Sequence, residues 1–314
     1  RMNNASLAGR LEIARAELRG PVSLDAVRID EDIWLRDCSV VHGPMRLSFA
    51  RIGQNLDLGT TVLHDVDATG VTIGGELRLG TPGSERHTPP VWAPRTRFSL
   101  RNATAASWVD RHDDAPRNPD CPDAAGGGPW PDEIDVIGFD YQGLGGLGGG
   151  MIDRRDEAWF VDWIGRQQPF SLEPHQRLAG ILVTAGREAA ARDVLYAGKE
   201  RERSQATGLT WLLLTGQKVF VGYGIFTQYV LVWIALLTWF GWMVVRGTPQ
   251  ARAIDPPLDW VWSFDQLVHV VNLRPEARDI QLEGVARWYF YFHKLMGWVL
   301  GGFLLAAFAG LFGT

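Results

Sequence analysis

The chain has 314 residues and a net charge of −5, from 31 Lys and Arg against 36 Asp and Glu. That length predicts about two domains, and the acidic balance excludes nucleic-acid binding through phosphate neutralisation. Two cysteines, Cys38 and Cys121, are too few for a disulfide framework, and no charged stretch leads into an apolar run at the start; a reducing compartment without a secretory signal is therefore expected.

Residues 5–80 carry apolar i, i+2 pairs at Leu11/Ile13, Val22/Leu24, Ile33/Leu35, Met45/Leu47, Leu56/Leu58 and Leu77/Leu79, the first four steps being 11, 11, 12 and 11 residues. An offset series lies between them: Ala16/Leu18, Val27/Ile29, Cys38/Val40, Ala50/Ile52, Thr61/Leu63 and Val71/Ile73. Period-two alternation predicts short strands with one face inward. Their fixed interval predicts a parallel β-solenoid (β-helix) in which each turn stacks on the last. An antiparallel β-domain is the alternative, but hairpin dipeptides such as Asn-Gly are missing. Gly9, Gly20, Gly43, Gly53 and Gly74 suit corners that need positive φ. Asp25, Asp37 and Asp57 are expected to point outward, and Cys38 to be a small buried hydrophobe. The pattern is already running at Arg1, and a solenoid needs a capping end, so residues upstream of Arg1 are expected.

Residues 81–97 and 113–133 are rich in Pro, Gly and Asp and read as loops. Phe98–Leu100 and Ile134–Phe139 read as further strands, which closes a β-solenoid domain with loop insertions at 1–142. Gly143-Leu-Gly-Gly-Leu-Gly148 matches the dinucleotide fingerprint in letters. No parallel strand follows it in a βαβ unit, so it reads as a glycine hinge. Residues 151–208 read as a helical hairpin linker: Asp156 caps a helix with Trp159, Phe160, Trp163 and Ile164, Glu173-Pro174 opens a second that Gly186 ends, and Ala190, Val194 and Leu195 lie on a third.

Residues 209–314 read as a membrane domain. Leu209 to Tyr223, with Gln217 and Lys218, predicts an interfacial elbow, placed at 209–224. Residues 225–245 and 295–312 contain no Asp, Glu, Lys or Arg and predict two spans, with Tyr223, Trp242, Trp288, Tyr289 and Tyr291 as interfacial belts. Val221-Gly-Tyr-Gly224 has the letters of a potassium-channel filter but precedes the first span, so it reads as a turn. Gly297 and Gly301, with Gly302, suit close helix packing within the chain or between copies. The segment 260–273 is too short to cross, so it is expected to be re-entrant or interfacial. As one helix it puts Asp265, His269 and Asn272 on a single face, either lining a pathway or facing water.

The run Pro169-Phe170…Glu173-Pro-His-Gln-Arg-Leu-Ala179, then Ala185-Gly-Arg-Glu-Ala189…Ala191-Arg-Asp-Val-Leu195, resembles a family of bacterial membrane proteins. Val221-Gly-Tyr-Gly224, Trp262-Ser-Phe-Asp265…Val270-Val-Asn-Leu273 and Gly297-Trp-Val-Leu300 fit the same pattern. The resemblance implies a pentapeptide-repeat-like β-solenoid joined to a two-span tail, and an activity of the kind named "membrane-associated oxidoreductase". His175 and His269 depart from it, where the family tends to have Tyr and Pro.

The residues themselves show no nucleotide fold, haem or iron–sulfur spacing or reactive cysteine pair, so no enzyme and no cofactor is read from them. The cluster Asp110-Arg-His-Asp-Asp114, and Cys38 with His42, lack diagnostic metal spacing. The function expected first is an oligomeric pore gated by Asp265, His269 and Asn272 under control of the solenoid. The alternative is a membrane-anchored scaffold whose solenoid meets a protein or small-ligand partner, and the second alternative is the oxidoreductase activity that the resemblance implies. Pore and scaffold are both expected in the inner membrane as homo-oligomers or anchors, with the solenoid in the cytoplasm.

Overall fold

The computed structural model describes the chain except residues 81–88, 111–120, 122–127, 129, 146–154, 227, 255–256, 269–272, 274–279, 281 and 312–314, together with the side chains of 304 and 306–311. The described chain divides into two compact units, Arg1–Arg201 and Glu202–Thr314.

In the first unit the strands are short and their pairings parallel. Ser6 pairs with Arg28, Arg28 with Arg51 and Arg51 with Thr72, in steps of 22, 23 and 21 residues. Leu11, Ile33, Leu56 and Leu77 form a second ladder with the same steps. The strand Thr104–Asp110 continues both ladders, pairing Thr104 with Thr72 and Trp108 with Leu77. Glu17, Val40, Val62 and Val91 make a third ladder. Val22, Met45, Val66, Phe98 and Ile134 make a fourth. Up to Leu79 the pairing repeat is thus about two 11-residue beats.

The corners show why the beat is 11. Positive φ falls on Asn4, Arg15, Ala26, Asp37, Phe49 and Thr60, spaced by 11 residues and once by 12. The predicted corner glycines do a different job: Gly9, Gly20, Gly43, Gly53 and Gly74 lack positive φ. A Cβ on Gly53 would lie 2.0 Å from Asp30 O, and one on Gly74 would lie 2.3 Å from Gly53 O. Gly53 and Gly74 thus let one layer of backbone lie directly on the next, whereas Gly9 and Gly20 have no described atom within 4 Å of an added Cβ.

The 12-residue step holds one extra residue. Asp37 and Cys38 both have positive φ, and this shifts the inward positions from Cys38/Val40 to Ser39 and Val41, both fully buried. Cys38 is therefore not the lone buried thiol expected. It forms a disulfide with Cys121, with Cα atoms 4.8 Å apart. Asp57 does not point out either; it is buried, and its carboxylate accepts the Gly59 N–H at 2.9 Å.

Three helices complete this unit: α1 (Glu157–Gly165), α2 (Glu173–Thr184) and α3 (Glu188–Gln205). Asp156 caps α1 by accepting from Trp159 N, and Gly186, at φ 74, follows α2. Phe160, Trp163, Leu178, Leu182 and Val194 belong to the same buried cluster as Leu56, Leu77 and Trp108. The predicted helical linker is thus a wall of the β core, because Trp163 meets Trp108 edge-on at 5.0 Å and an exposed indole stack would leave large apolar surface in water.

The second unit is helical: α4 (Gly208–Val221), α5 (Gln228–Arg246), α6 (Pro249–Arg252), α7 (Trp260–Leu267) and α8 (Gly284–Leu311). Gly222, Tyr223 and Gly224 all have positive φ and end α4 in a turn. This is the turn expected of the Val-Gly-Tyr-Gly stretch. Among the described residues one helix, α5, is long and apolar enough to cross a membrane.

Candidate functional site

The residues singled out from the sequence centre on α7, which packs against both α5 and α8. Asp259 caps α7 through Trp262 N at 3.1 Å. The helix stops at Leu267, where Val268 takes φ −99 and ψ 87. Among the described residues the helix expected over 260–273 does not continue past Leu267, and the Asp265 carboxylate accepts the Leu273 N–H at 2.9 Å. Asp265 is buried in this role. His269 and Asn272 lie outside the described residues.

Glycines let α7 sit close to its neighbours. A Cβ on Gly241 of α5 would lie 2.2 Å from Ser263 Oγ, and one on Gly297 of α8 would lie 1.9 Å from Leu267 O. Gly297 thus lies directly against the end of α7. Among the described residues nothing lies within 4 Å of a Cβ added at Gly301 or Gly302.

The sequence reading missed the polar group at the centre of this unit. His293 of α8 is fully buried. A carbonyl can only accept, so its Nε2–H donates to Ser263 O at 3.0 Å, and Nδ1 meets the Tyr289 hydroxyl at 3.2 Å. With Nε2 protonated, Nδ1 accepts the one proton of the Tyr289 hydroxyl, which also lies 3.5 Å from Leu237 O. The imidazole thus ties α8 to α7 by a hydrogen bond. Among the described residues the Ser263 hydroxyl has no partner. The signal was present as a Tyr–His pair at i, i+4, but beginning the second span at Leu295 left both residues outside it.

Two further features lie in the first unit. The outer face of the fourth ladder forms a groove of about 380 Å³ lined by Arg46, Asp67, Arg97, Arg101 and Asp135. Asp135 is buried and accepts from Arg97 Nη2 at 2.9 Å and Arg101 Nε at 3.0 Å. Asp110 pairs with Arg155, whose guanidinium lies 3.6 Å above the Trp159 ring beside Trp108, Trp130 and Trp163. The rest of the acidic cluster, 111–114, lies outside the described residues, as do residues 146–148 of the glycine fingerprint. Gly143 lies in a β-strand that pairs with Ser107.

Burial shifts two titratable groups here. The Tyr141 hydroxyl is pushed up by burial and by the charge of Glu173. His175 on α2 is held below the usual imidazole range, chiefly by burial and further by Arg201, against the raising effect of its hydrogen bond to Ser171 O. Among the described residues no group of three His, Cys, Asp or Glu side chains could hold a metal ion.

Comparison with known proteins gives no matching family model, no matching curated protein and no matching solved structure.

Proposed function

We propose that this chain is a membrane-anchored binding scaffold: a parallel β-solenoid held at a lipid surface by a helical anchor. The four parallel ladders around one apolar core support the solenoid. The observation that carries the anchor is the reversed polarity of the second unit. Leu231, Leu236, Trp239, Phe240, Trp288 and Leu295 are exposed, while His293, Ser263 and Asp265 are buried. Water does not sort side chains that way, but hydrocarbon does. α5 is the first crossing. α8, at 28 residues, is about 42 Å long and supplies the second.

The Cys38–Cys121 bond bears on sidedness. Disulfides persist in oxidising compartments, so it favours the non-cytoplasmic face for the solenoid over the cytoplasmic face expected from the sequence. An oligomeric pore is the second reading, favoured by Gly301 and Gly302, at which no described residue lies within 4 Å of an added Cβ, leaving room for another copy. The groove along Arg46, Arg97 and Arg101 is where a partner of the solenoid would bind.

Flotation of the full chain with lipid vesicles tests the anchor. The protein should rise with the vesicles and resist alkaline extraction. A chain that stays in the dense fraction, soluble without detergent, overturns the proposal.

A further inference from the structure

We infer that the second unit holds an anionic phospholipid in a groove on α5 and α7; this rests on the anchor reading above. The groove has a volume of about 560 Å³ and runs from Leu231, Ile234 and Ala235 past Trp239 to Trp242, with Phe264 of α7 alongside. Its polarity changes along its length as a lipid's does. The Leu231 end is wholly aliphatic. The Trp242 end is indole, the residue type enriched at the headgroup level. One turn beyond stands Arg246, exposed, with its guanidinium 5.4 Å from the Trp242 ring centre.

Among the described residues no carboxylate takes up the charge at that end. The acids on the described part of α7 and its cap are Asp259 and Asp265, and these accept from Trp262 N and Leu273 N. Among the described residues Arg246 makes no ion pair, so it complements an anionic headgroup. The length fits as well. Leu231 to Trp242 spans about 16 Å of helix, close to half of the roughly 30 Å hydrocarbon thickness, which is the depth of one leaflet. A second copy of the chain would match the apolar wall but not this gradient toward a cation.

The test uses the full chain, reconstituted in nanodiscs of equal phosphatidylglycerol and phosphatidylcholine, then released into mild detergent for native mass spectrometry. The wild type should retain phosphatidylglycerol in preference to phosphatidylcholine. Ala235 is exposed, so Ala235→Trp fills the groove without disturbing the core and should abolish retention. Arg246→Gln should keep lipid but lower the preference for the anionic one by about fivefold. Equal retention by wild type and Ala235→Trp would mean a non-specific lipid shell and overturn the assignment. So would a lipid-free dimer, which makes a second copy the occupant. Vesicle flotation of the same samples separates the two readings. Loss of selective retention with flotation intact removes the lipid site alone, whereas loss of flotation in the wild type removes the anchor with it.

Discussion

Replacing Cys38 by Ser tests both the fold and the compartment. The disulfide closes a loop with a sequence separation of 83 residues. In the chain-entropy model such a closure removes about 4.5 kcal/mol of freedom from the unfolded chain at 25 °C. Native disulfides deliver roughly 2–4 kcal/mol, and Ser keeps nearly the shape of Cys, so packing changes little. For a unit of this size each kcal/mol moves the midpoint by about 2–4 °C. Cys38→Ser should therefore melt about 10 °C lower, read by circular dichroism on the full chain in detergent. Reductant should lower the wild type by the same amount and leave the variant unchanged. Cys38→Ser combined with Cys121→Ser should add nothing to either single change, since one bond is lost in all three. A shift below about 2 °C, or two thiols titrating in the unreduced protein, would refute the reasoning. The sidedness argument would fall with it.

Gly53→Ala should destabilise the first unit by about 1–3 kcal/mol, because its new Cβ meets the Asp30 carbonyl at 2.0 Å. Gly9→Ala, with nothing within 4 Å, should stay within about 0.5 kcal/mol of the wild type; equal effects in chemical denaturation would contradict the close stacking of layers. His175 gives a pH dependence of definite sign. Its folded pKa lies below the ordinary 6.5, so between those values the unfolded chain binds more protons. Stability is full above pH 6.5 and declines as pH falls through the folded value. Melting scans should show this slope, and His175→Phe should flatten it. Gly297→Leu drives a side chain into the Leu267 carbonyl and should separate α7 from α8, seen as faster protease cleavage near Leu267; cleavage at the wild-type rate would contradict the packing.

The β half was legible because its physics is periodic. An inward pair every 11 residues marks the strands whatever the outward residues are, and Ile33, Leu56 and Leu77 were all placed in the core from spacing alone. The pairing distance was not legible, because an 11-residue beat is compatible with ladders at one beat or at two. The corners were misassigned for a related reason. Ala26, Phe49 and Thr60 carry the positive φ, residues whose type does not advertise it, while Gly53 and Gly74 answer to a neighbouring layer that the sequence does not display. Cys38 was misjudged because the extra residue of the 12-residue step flips the side-chain alternation. In the helical half, α5 follows directly from its lack of charge. The end of α7 at Leu267 does not, and neither does the hydrogen bond to Asp265 from a backbone N–H eight residues later.

The placements of His293 and Arg246 support the membrane anchor proposed for the second unit. In water an imidazole gains nothing from burial under three helices, and an exposed wall of Leu231, Leu236 and Trp239 is costly. In hydrocarbon the order reverses. The imidazole must satisfy both nitrogens inside the protein, as it does with Ser263 O and Tyr289, while Leu and Trp face lipid without penalty. Arg246, the one charged residue of α5, falls in its last turn, where a guanidinium reaches the headgroup layer. The first unit obeys the opposite rule, with Ile33, Leu56 and Leu77 fully buried and Arg46 and Arg97 outside. The same hydrophobic effect thus turns apolar side chains inward in the first unit and leaves many of them outward on α5 and α8.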